Sequence, residues 1–191
     1  SSTICKIQSA GPAVIMSNLV GNNHIAFYRQ FAAAGLNESM QIISPVFGLG
    51  NEQLVLSPKE AEGIVVAYSY FEALDNPENK AFLEGFRKMY PNAGLVPDTP
   101  AQVWNAWHQW KAAVEIAGST ETMPVVQALE AGIEFVGPAG PVRVEPRSHR
   151  NIQDVHLGRV NGKQEFEILA AFAQIDPSNE VVGAETCDLT G

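Results

Sequence analysis

Apolar and polar positions along the chain change their period twice, and the changes divide it into three stretches. In the first, short apolar runs alternate with capped helical segments. Ala13-Val14-Ile15-Met16-Ser17 and Met40-Gln41-Ile42-Ile43-Ser44 have the pattern of buried parallel strands. His24–Ala34 lies between them as a helix closed by Gly35. Strand, helix, strand is a βαβ unit, which implies a parallel sheet and a right-handed crossover. Residues 3–10 read as a helix stopped by Gly11-Pro12, and Glu52–Leu56 as a short connection. Ile64–Phe71 carries β-branched and aromatic residues on both parities, which suits a buried strand or extended crossover.

In the second stretch the period is helical. Asp75 or Asn76 caps a helix that has Pro77 at its first position and runs to Met89, with Phe82, Phe86 and Met89 at helical spacing. Pro97-Asp98-Thr99-Pro100 starts another, with Pro100 at its first position, carrying Trp104, Trp107 and Trp110. Tryptophans so spaced read as one face packed on a core. A third helix runs from Thr120 or Thr122 towards Gly132. From Glu134 the period falls to two. Short strands are expected around 135–136, 141–145, 155–160 and 165–169, with Asn161-Gly162 as a hairpin signal. The class is therefore α/β: a parallel sheet with antiparallel strands at its C-terminal end.

Charge narrows the partners. Twelve basic residues against 21 acidic ones give a net charge of −9. No basic patch stands out, which argues against a nucleic-acid partner. No apolar run is long enough to span a membrane. The chain opens as though inside an amphipathic helix, as a piece of a longer protein would. Cys5 and Cys187 suit neither a zinc site nor a redox pair and read as two independent thiols; pairing them requires an oxidising compartment.

Little in the pattern points to catalysis. His24, His108, His149 and His156 are scattered without metal-ligand spacing, and no cofactor fingerprint is present. Ser17, Ser44 and Ser148 lack a nucleophile-elbow context and default to capping, turn or ligand contact. Glu52 reads either as a partner for a polar ligand or as a solvated loop carboxylate. The carboxyl ends of the two parallel strands, Ser17–Asn23 and Ser44–Gly48, are where ligands gather on such sheets.

The order and spacing of several stretches resemble the C-terminal half of type I periplasmic-binding-protein-fold proteins. They are Lys6-Ile7-Gln8 through Pro12 to Ser17, then Gly21, Asn22, Ala26 and Phe27; Ser44 with Glu52; Gly63 with Tyr70-Phe71 and Pro77 to Phe82; and Pro138 to Glu145 with His149, Gly158 and Phe166. The branch resembled is the amide- and urea-binding one, which includes transporter receptors and an amide-sensing regulator of amidase expression.

The resemblance implies two Rossmann-like lobes that close on a small ligand by hinge bending. Residues 1–66 would belong to the second lobe and 67–133 would be helices packing on the first lobe. Residues 134–172 would return to the second lobe as short strands, and 173–191 would form an extended tail. The first-lobe sheet would come from a missing N-terminal half, or its place be taken by self-association. Leu19, Val20, Gly21 and Asn22 match one cleft loop, Ser44, Val46 and Phe47 another, and Tyr68 lies at the crossover. Pro45, Val46 and Phe47 stand where some relatives carry hydroxyl residues, which implies a more apolar wall. The implied function is non-enzymatic: binding an amide, urea or a related solute for the membrane subunits of an ABC transporter, in the periplasm or another extracytoplasmic space. The alternative is a cytoplasmic regulator that acts through a protein partner.

Overall fold

The computed structural model describes residues 2–21 and 23–179 of the 191-residue chain. α1 (Ser2–Ala10) ends at Gly11, and β1 (Val14–Met16), α2 (Asn23–Ala33) and β2 (Gln41–Ser44) form the expected βαβ unit. β1 and β2 are parallel, with Ile15 opposite Ile42. Gly35, at φ 70°, takes the left-handed conformation that closes α2 without a Cβ penalty. One expectation fails here. β1 is an edge strand among the described residues, so Val14 and Met16 are 63% and 65% exposed instead of buried.

The stretch expected to be a plain connection holds two short helices, α3 (Glu52–Val55) and α4 (Pro58–Ala61). A capping box starts α4: the Ser57 N–H donates to Glu60 Oε2 at 2.7 Å. β3 (Val65–Tyr68) follows, parallel to β2. α5 (Pro77–Met89) is capped by Asn76, one of the two candidates, with Asn79 N–H donating to Asn76 Oδ1 at 2.7 Å. α6 (Asp98–Ala117) begins two residues before Pro100, and α7 (Thr122–Glu130) follows.

The tryptophan face of α6 corrects the sequence reading. Ala101, Asn105, Gln109 and Ala113 form its buried stripe, while Trp107 is 63% exposed and Trp104 and Trp110 are also open. β4 (Glu134–Gly137) packs on that stripe. A Cβ at Gly137 would lie 2.0 Å from Asn105 Oδ1, so any larger residue there would have to displace the buried Asn105 amide.

β4 and β5 (Gly140–Val144) form a hairpin that continues into β6 (Asn151–Val160) and β7 (Phe166–Ile175). Residues 134–172 are thus not all short strands, since β6 and β7 have ten residues each. β6 pairs with β5 at Asn151 and Ile152 and with β3 at His156–Arg159, joining both parts of one sheet in the order β1-β2-β3-β6-β5-β4. β7 pairs with β6 and takes in residues 173–175, assigned above to the tail. The rest of the expected tail, from 180 onward with Cys187, lies outside the described residues. Gln164, at φ 65°, holds the left-handed position in the β6–β7 loop, in place of Gly162. Its Nε2 donates to the carbonyls of Gln53 and Leu56, a tertiary contact that local turn chemistry does not encode.

The main core joins Tyr28 and Phe31 of α2 to Ile42, Phe47, Leu56, Val66 and Phe71. A smaller cluster of Tyr70, Phe82, Val96 and Ala101 lies past the crossover.

Candidate functional site

The loops that leave β1 and β2 lie together at one end of the sheet. Ser17 N–H donates to Ile43 O at 2.9 Å, and the Ser44 hydroxyl donates to Ser17 O at 2.7 Å. Ser44 Oγ also accepts from Val46 N (3.2 Å) and Phe47 N (3.0 Å). Its hydroxyl is buried and committed to the backbone, so Ser44 shapes the loop from below. Leu19, Val20 and Gly21 form the exposed crest of the first loop, and the Gly21 carbonyl accepts the His24 N–H that opens α2. Asn22 lies outside the described residues. Val46 is half-buried.

Phe47, expected as an apolar wall, fills the core beneath the second loop. Its ring is fully buried, with centroids 4.8 Å from Tyr28 and 5.9 Å from His24. Its carbonyl accepts the Tyr68 hydroxyl at 2.7 Å. Burial pushes the Tyr68 hydroxyl pKa far up, and the nearby Asp98 carboxylate adds to it, so Tyr68 stays a neutral donor.

A buried polar chain underlies both loops. Tyr28 Oη lies 3.0 Å from Ser17 Oγ and 3.0 Å from His24 Nε2. His24 Nδ1 lies 3.9 Å from Glu52 Oε1, while Glu52 Oε2 accepts the N–H groups of Gly48 (2.6 Å) and Gly50 (3.2 Å). Burial lowers the His24 pKa against the opposing pull of Glu52. Sequence reasoning left His24 as one scattered histidine and Glu52 undecided. The available signal was Glu52 placed just after Gly48 and Gly50, within reach of two free loop amides.

A cavity of about 380 Å³ opens beside the second loop at the crossover. Its walls include Gly48, Tyr68, Phe71, Val96, Asp98 and Phe166. Asn51 Nδ2 donates to Leu95 O at 2.9 Å and ties the loop to the segment before α6. Asp98 accepts from Ser69 Oγ and Tyr70 N, both at 2.8 Å; burial nonetheless raises its pKa. Glu72 pairs with Arg87 and accepts the Val96 N–H, securing the same corner.

The arrangement suits binding. The Ser44 proton goes to a carbonyl and the Ser17 hydroxyl meets a tyrosine, so neither serine has a histidine base in hydrogen-bonding reach. Among the described residues no cluster of His, Cys, Asp or Glu is placed to hold a metal ion, and no helix is long and apolar enough to cross a membrane.

The family described as periplasmic binding protein domain matches residues 1–180. The Leu/Ile/Val-binding protein homolog 6 of Brucella melitensis is 26% identical over 142 residues, covering 73% of this chain and 36% of that protein. A solute binding protein of an ABC transporter from Rhodopseudomonas palustris, solved in complex with 3,4-dihydroxy benzoic acid, has a TM-score of 0.77 at 19% identity, covering 94% of this chain and 50% of that one. The leucine-, isoleucine-, valine-, threonine- and alanine-binding protein of Brucella ovis, in a closed conformation, has a TM-score of 0.75 at 19% identity, covering 92% of this chain and 48% of that one. At these identities the likeness to the solved structures concerns the fold. The chain spans about half the length of those structures and about a third of the curated relative.

Proposed function

The chain belongs to the periplasmic binding protein family, and from that premise we propose that it forms part of a solute-binding protein serving an ABC transporter. The observation that carries the reading is the bond from Ser44 Oγ to Ser17 O. It roots two strand-end loops side by side where open α/β sheets collect ligands. Residues 1–66 then supply one jaw, and the helices of 67–133 offer their tryptophan face to the other. Solute is held between the jaws without turnover and closure follows from contacts to both. The compartment that goes with this role is extracytoplasmic.

The solute class we propose is a small carboxylate with an apolar body. α2 starts directly behind the crest, with no acidic side chain in its first turn. Its positive end favours an anion over a neutral carbonyl. Leu19 and Val20 offer apolar surface beside it. Aromatic acids and amino acids, the ligands named for the relatives above, share the carboxylate. A neutral amide or urea, the class implied by the sequence resemblance, carries no charge for that positive end to attract. Calorimetry of the full-length protein with benzoate, 4-hydroxybenzoate, leucine, acetamide and urea decides the matter. Saturable heat from a carboxylate supports the proposal; heat from acetamide or urea alone returns the solute to the amide class. Silence across the panel overturns both.

A further inference from the structure

We infer that His24 and Glu52 are positioning residues for the solute-facing loop and act together as a proton-controlled latch on residues 48–50. The inference rests on the solute-binding reading above, because it makes that loop the moving part of the site.

Glu52 divides its work between its two oxygens. Oε2 holds the Gly48 and Gly50 amides at 2.6 and 3.2 Å. The loop it holds begins with Gly48 at φ 95° and runs into Asn51 at φ 61°, so two of the four residues from 48 to 51 sit in the left-handed region. Such a loop depends on outside bonds to keep its shape. Oε1 turns towards His24 Nδ1 but stops at 3.9 Å, beyond hydrogen-bond range. The other imidazole nitrogen is occupied by Tyr28, whose hydroxyl reaches Ser17 at the root of the first loop. One polar chain therefore runs from the β1 loop to the β2 loop, with a single gap between His24 and Glu52.

Protonation closes that gap. A neutral imidazole with its partner on Nε2 has no strong hold on Glu52. An imidazolium presents an N–H on both nitrogens and a full charge beside a carboxylate, in a site where the histidine is 3% exposed. Drawing Oε1 towards α2 turns the carboxylate and loosens Oε2 from the glycine amides. Among the described residues the groups facing His24 include no competing cation: Glu52 comes from α3, Tyr28 from its own helix, and Tyr68 from β3 stands behind them. Arg29, on the same helix, donates instead to Val55 O. Burial places the transition below the ordinary histidine range, so the latch is shut at neutral pH and opens in acid.

The test is a pH titration of the full-length protein by NMR, reading the His24 ring and the Gly48 and Gly50 amides without solute, in wild type, H24Q and E52Q. In wild type the two amide signals shift with the midpoint of His24, and their hydrogen exchange, corrected for intrinsic rate, quickens about tenfold between pH 7.5 and 5. In H24Q and in E52Q that dependence disappears. Glycine amides that ignore the His24 midpoint, or that follow pH unchanged in H24Q, overturn the latch. Benzoate affinity, measured alongside, falls about tenfold over the same range if the loop serves that solute. A protein that shows the amide transition but binds no benzoate at any pH keeps the latch and contradicts only the carboxylate reading.

Discussion

The Ser44 hydroxyl reaches the Ser17 carbonyl across 2.7 Å and thereby joins the roots of two loops that are distant in sequence. The same oxygen receives the Val46 and Phe47 amides, so one buried side chain sets the turn of one loop and its distance from the other. Ser44→Ala leaves two amides and a carbonyl without that partner. Buried polar groups left unpaired cost roughly 1–3 kcal/mol each, with relaxation recovering part of the total. A loss of about 2 kcal/mol in urea unfolding is expected. Loss of solute affinity in the full-length protein, beyond the unfolded fraction, is expected with it.

Phe47 affects stability before it affects binding. Its ring is fully enclosed against Tyr28 and His24. Phe47→Ala is expected to cost about 3–5 kcal/mol, the range for aromatic truncation in a packed core. Urea unfolding measures it. A variant as stable as wild type would show that the ring lies outside the core.

Acid weakens the fold through His24. Its folded-state pKa lies below the ordinary value of 6.5, so between the two the unfolded chain binds more protons than the folded one. This contribution is complete above about pH 6.5 and declines as the pH falls towards the folded-state pKa. Glu60, held low first by the Ser57 amide, acts in a separate window below its ordinary 4.5. Unfolding curves between pH 7.5 and 5 are therefore expected to slope downward in wild type and to flatten in H24Q.

The open face of α6 is expected to drive association of this 191-residue chain. Val103, Trp107 and Trp110 are exposed on one face of the helix and line a shared surface groove with Ala106, an apolar patch of the kind that marks association. Light scattering should show dimers or larger species at micromolar concentration. Trp107→Glu combined with Trp110→Lys should shift the population towards monomer. An unchanged distribution would locate the contact elsewhere, for example at the open apolar edge of β1 with Val14 and Met16.

What could be read from the chain was whatever its neighbours in sequence decide. α5 was legible end to end because Asn76 and Pro77 are a complete local start signal. The parallel pairing of β1 with β2 followed from strand, capped helix and strand. Edge or centre was not legible for β1, since that depends on a strand that does or does not lie beyond it. The outward tryptophans were not legible for the same reason: spacing places them on one face, but only the tertiary neighbours of the other face, Gly137 of β4 at Asn105 and Asn151 of β6 at Gln109, say which one is covered. At the candidate site the two loops were found from strand ends, whereas the His24–Glu52 contact needed α2 and α3 brought together in space. The burial of Phe47 is not legible in the sequence, because residues on alternate sides of a tight loop cannot be sorted into cleft and core from their order alone.

The claim on which the rest depends is that solute lies on the paired loops at the carboxyl ends of β1 and β2. Hydrogen exchange by mass spectrometry on the full-length protein, with and without saturating solute from the calorimetry panel, tests it most directly. Added protection at residues 18–21 and 45–50 is expected. Protection that leaves those two loops untouched and appears elsewhere would contradict it.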